Sequence, residues 1–93
     1  MEEFIMINMA ELEKKIDELM KEYRLFGEKV DERPEINMIA YEITWGDWKH
    51  EHLRMDWMME ENFKNLRSIH KVTTEEDGSD CYSAIHYYYF MEE

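Results

Sequence analysis

The chain has 93 residues, 23 of them acidic against 11 basic, and a formal net charge of −12. A field of that sign works against direct binding to nucleic acid or to anionic membranes and favours a basic partner. At 44% hydrophobic and 14% aromatic residues the chain is too apolar for disorder, its length fits one domain over residues 1–93, and its single cysteine, Cys81, excludes an internal disulfide and points to a reducing cytoplasm.

Residues 1–7 suit either a short strand or an extra helical turn. Phe4-Ile5-Met6-Ile7 is apolar but follows Glu2 and Glu3, so it does not resemble a secretory leader, and no apolar stretch reaches the ~20 residues of a membrane helix. Asn8 with Glu11 forms a capping box. Met9, Leu12, Ile16, Leu19, Tyr23 and Phe26 then recur at spacings of three and four, which predicts a helix over Asn8 to Phe26 with Gly27 as its left-handed stop.

Glu28 to Glu35 reads as a charged loop enforced by Pro34. Ile36 to Trp45 reads as a strand, with Ile39, Tyr41, Ile43 and Trp45 on one face. Gly46-Asp47 breaks it and caps a second helix, Asp47 to about Leu66, whose stripe is Trp48, His52, Met55, Met59, Phe63 and Leu66. Leu53 and Trp57 fall opposite that stripe, as a surface patch or a face needing cover. Arg67 to Thr74 is a weaker strand. Glu75 to Asp80 is a hairpin loop in which Gly78 supplies positive φ. Cys81 to Phe90 is the strongest strand, with Ile85, Tyr87 and Tyr89 on one face and Tyr82, Ala84, His86, Tyr88 and Phe90 on the other.

These elements predict an α+β domain in the order α-β-α-β-β. Two amphipathic helices pack on one face of a small three-stranded mixed sheet, and the middle helix is a right-handed crossover between parallel strands with the last strand between them. The far face of the sheet then shows side chains of the last strand and needs a partner, a second copy of the chain or the N-terminal segment.

The chemistry-bearing residues give weak signals. His50-x-His52 has the wrong spacing for a helical metal pair. A chelate would need His52 with His70 or His86 and a carboxylate such as Asp56, and nothing in the sequence demands it, so no metal or other cofactor is expected and His52 reads as a hydrogen-bonded core residue. Cys81 and His86, five apart on a strand, point to opposite faces and cannot form a dyad directly. Glu42, between Tyr41 and Ile43, is the best single candidate for a carboxylate with a shifted pKa, although an outward residue on a half-wet strand is the plainer reading. The Glu75–Asp80 loop lacks the pattern of a calcium loop, and no glycine-rich phosphate loop exists. An enzyme is not expected.

What remains is acid beside aromatic. Asp56, Glu60 and Glu61 on the second helix and Glu75, Glu76, Asp77 and Asp80 in the hairpin loop are expected at the surface, with Trp57, Leu53 or Tyr88 as anchors. The expected function is therefore a non-catalytic cytoplasmic inhibitor of the kind phages and mobile elements carry. It would block a basic, nucleic-acid-handling host protein, such as a restriction or CRISPR effector, by offering carboxylates in place of phosphates. The alternative is a small homo-oligomeric structural or regulatory domain, a homodimer built on Leu53 and Trp57 or on the outer face of the last strand.

Overall fold

A computed structural model describes residues 9–45, 51–73 and 82–91. Its elements are α1 (Met9–Glu22), β1 (Phe26–Arg33), a 3-10 turn (Pro34–Ile36), β2 (Met38–Trp45), α2 (Glu51–Asn62), β3 (Leu66–Val72) and β4 (Tyr82–Phe90). The strands form one four-stranded sheet in the order β1-β2-β4-β3, and every neighbouring pair is antiparallel. The α+β class stands, but the expected three-stranded mixed sheet does not. The segment read as a charged loop supplies most of a fourth strand. β2 and β3 run in the same direction, yet β4 lies between them, so no parallel ladder forms.

The first helix ends earlier than its apolar stripe. It closes in a Schellman arrangement: Leu25 N–H donates to the Met20 carbonyl at 2.8 Å, Arg24 N–H to that of Lys21 at 3.4 Å, and Arg24 takes the left-handed conformation with φ 58°. Leu25, just past the stop, is buried in the same core cluster as Met20. Gly27 is therefore not the helix stop but a residue of β1. A Cβ there would lie 2.6 Å from Ile43 Cδ1 and 2.8 Å from Met20 Sδ, so glycine leaves room for the ends of those two side chains beside β1. The second helix also stops short, at Asn62, and Asn65 turns the chain into β3 with φ 66°. Left-handed backbone is a conformation asparagine tolerates better than most residues. Residues 46–50, the expected start of that helix, lie outside the described residues.

Alternation along the strands divides the sheet into two faces. Ile39, Tyr41, Ile43 and Trp45 of β2 and Ala84, His86 and Tyr88 of β4 are buried on one of them. Leu12, Ile16 and Leu19 of α1 and Met55 and Met59 of α2 complete the same core. The opposite face carries Met38, Ala40, Ile85, Tyr87, Tyr89 and Ile69, with Phe26 at one corner. Ala40 is buried there, the Met38, Ile85 and tyrosine side chains are half-buried, and Ile69 and Phe26 are exposed. At each outer edge, β1 and β3 each leave one side without a strand neighbour in this sheet.

Candidate functional site on helix α2

Helix α2 presents two different surfaces. On its inner side His52 and Asp56, four residues apart, share a face with Met55 and Met59, and all four are buried. Strand β4 rises opposite with His86 and Tyr88 at alternate positions on the inward face, and His70 of β3 pairs directly with His86. Two helical residues and three strand residues thus meet in one polar cluster inside the apolar core.

Asp56 is the hub. Only 5% of it is accessible, and a carboxylate so placed requires partners. The Tyr88 hydroxyl donates to Oδ1 at 2.6 Å. His86 Nδ1 lies 2.9 Å from Oδ1 and 3.1 Å from Oδ2, and against carboxylate oxygens, which accept, Nδ1 is assigned as the donor. His86 Nε2 and His52 Nδ1 are 3.1 Å apart and share one proton between them. With His86 neutral, His52 is the donor. His70 Nδ1 stands 3.9 Å from Asp56 Oδ2, too far for a hydrogen bond. The His70 ring stacks over that of His86 with centroids 5.4 Å apart, and Trp45 stacks on His52 at 3.9 Å. Burial, and next the Asp56 carboxylate, push the Tyr88 phenol well above its ordinary pKa. Nearby Tyr41 is pushed up to about 12, chiefly by burial and then by Glu13 and Asp17.

This arrangement corrects two expectations. Asp56 and Tyr88 were assigned to the surface, and both are buried. Asp56 follows Met55 directly and stands one turn after His52, so the helix turns it inward. Tyr88 shares the inward face of β4 with Ala84 and His86. The residues named for a chelate are the ones the fold gathers, because the pairing register of β3 and β4 sets His70 against His86, and that register is invisible in the sequence.

The outer side of α2 keeps the other expectation in view. Trp57 is 63% exposed, with Glu60 and Glu61 three and four residues on, both exposed, and Leu53 one turn before it, half-buried. Glu60 is also tied down, since its Oε2 accepts from the Ser68 amide at 2.9 Å and the Ser68 hydroxyl at 2.7 Å. Glu61 makes no ion pair among the described residues. Glu75, Glu76, Asp77, Asp80 and Cys81 lie outside the described residues. Glu42 is half-buried on the sheet face away from the helices, directly opposite Glu28 of β1, where Phe26, Gly27 and Thr44 complete a shallow depression. No described helix is long and apolar enough to cross a membrane. Comparison with models of known protein families, with curated proteins and with solved structures finds no match to this chain.

Proposed function

We propose that this chain is a non-catalytic acidic interaction protein that works in the cytoplasm. It docks on a basic, nucleic-acid-handling protein and blocks it by presenting carboxylates where phosphates would sit. The observation that carries the reading is the outer side of α2: an exposed indole, Trp57, flanked by Glu60 and Glu61 on a molecule of net charge −12. A rigid aromatic supplies contact area at low entropic cost, and surrounding carboxylates steer it to a cationic surface. The Ser68 contacts fix the Glu60 side chain, so one of those carboxylates is preorganised. The test is capture of basic nucleic-acid-binding proteins by the wild type and by the Trp57→Ala and Glu61→Lys variants across a salt titration. The expected result is capture that weakens as salt rises and is lost in both variants. Capture indifferent to salt, or direct binding of nucleic acid by the chain itself, overturns the reading.

The sheet face away from the helices favours a second reading, self-association. Phe26, 76% exposed, and exposed Ile69 frame half-buried Ile85, Tyr87 and Tyr89, and an apolar face of that extent suits an isologous dimer. Light scattering separates the two: a dimer broken by Ile69→Lys and indifferent to Trp57→Glu supports the sheet face, and a strict monomer at high concentration removes it.

A further inference from the structure

Three potential ligand atoms from three different elements converge in the polar cluster. A carboxylate oxygen of Asp56, Nδ1 or Nε2 of His70 and a ring nitrogen of His86 all lie within 4.8 Å of one another. We propose that Asp56, His70 and His86 form a binding site for one divalent transition metal of the zinc class, with a fourth coordination position left to water. Two imidazoles and one carboxylate are the donor set of open zinc sites, whereas magnesium and calcium take oxygen ligands almost alone.

The donor separations are near those such an ion requires, and the His70 ring, which stacks on His86 at an interplanar angle of 22°, must turn to aim a nitrogen at the ion. Ligands held at ~2.0–2.2 Å in a tetrahedron lie about 3.3–3.5 Å from one another. From the same Asp56 Oδ2, His86 Nδ1 is 3.1 Å away and His70 Nδ1 3.9 Å. The ligand that must travel furthest is His70, which is also the most accessible: about a third of its side chain faces solvent, against almost none for the other two. The entry path and the adjustable ligand are thus the same residue.

The surrounding groups fit a ligating role as well. A metal-bound histidine donates its other ring N–H to an acceptor, and a ligating carboxylate is oriented by a hydrogen bond of its own. Asp56 meets the second condition as it stands, and His86 meets the first once its tautomer shifts. Tyr88 donates to Asp56 Oδ1 and leaves Oδ2 toward His70. His52 Nδ1 stands 3.1 Å from His86 Nε2. When His86 Nδ1 turns its lone pair to the ion, its proton resides on Nε2 and is donated to His52 Nδ1. The shift exchanges one neutral tautomer for another in each ring, so the pair keeps its proton count.

The experiment uses untagged full-length protein, freed of metal by a chelator and titrated with Co(II) and then Zn(II). The expected result is one equivalent bound, with the visible absorption of four-coordinate cobalt, displacement of cobalt by zinc, and a thermal midpoint that rises with free metal. His70→Ala is the decisive variant, because His70 makes no hydrogen bond to Asp56 and its removal leaves the buried network intact. It should retain the wild-type circular dichroism and lose the cobalt spectrum. His52→Phe, which removes the acceptor for His86, should bind ~10–100-fold more weakly. If the wild type takes up no more metal than His70→Ala, or holds cobalt only as the pale octahedral ion that surface carboxylates give, the proposal is overturned.

Discussion

A buried carboxylate with two strong donors makes the two ends of its hydrogen bonds unequal. Tyr88→Phe deletes one donor but leaves Asp56 with His86, so it should cost about 1–2 kcal/mol in urea unfolding. Asp56→Ala strands the Tyr88 hydroxyl and the His86 Nδ1–H together in apolar surroundings and should cost about 3–5 kcal/mol. Equal costs would mean that the cluster is not organised around Asp56. The phenols add a pH dependence. Tyr88 is held well above its usual pKa and Tyr41 at about 12, so the folded state keeps protons that the unfolded chain gives up from about pH 10 upward. Their contribution to stability is therefore complete below pH 10 and is lost as pH climbs through 10 to 12 and beyond. Spectrophotometric titration should show two of the six tyrosines ionising only as the protein unfolds, and Tyr41→Phe should reduce the slope of stability against pH in that range. At this scale the sequence is poorly legible: it shows which histidines and carboxylates exist, but their meeting depends on strand register.

Elements were legible where burial imposes a period. The stripes of α1 and α2, the alternation in β2 and the last strand's place between the other two all follow from apolar spacing. β1 was not legible, for a physical reason. Its inward positions are Gly27, Lys29 and Glu32, so neither face is apolar and the pattern reads as loop. What makes it a strand is the backbone ladder to β2, together with Lys29, which reaches Glu13 of α1 at 3.1 Å and Glu32 at 2.6 Å. Both glutamates hold the exposed ammonium more firmly protonated than usual. The close packing beside Gly27 gives an element-level prediction. Gly27→Ala places a methyl group against the ends of the Ile43 and Met20 side chains, which can swing aside, and should destabilise by no more than about 1 kcal/mol. Ile43→Val in the same chain should recover part of that loss, and a strictly additive double variant in thermal unfolding would show that the contact is not the cause.

For the molecule as a whole, charge acts in two directions at once. A net −12 on a body this small repels itself, so sodium chloride should raise the thermal midpoint while it weakens capture of a basic partner. A midpoint that falls with salt would instead give the exposed ion pairs of α1 and β1 the larger share. The two borders of the sheet are not equivalent. β1 carries glutamate, aspartate, lysine and arginine, and its ladder is broken by an irregularity between Lys29 and Asp31, devices that discourage a foreign strand from pairing there. β3 runs regularly as Leu-Arg-Ser-Ile-His-Lys-Val and carries no carboxylate. If misassembly into fibrils or strand exchange ever overtakes this fold, it should begin along the Ile69 border, and a single Ile69→Glu replacement should delay it.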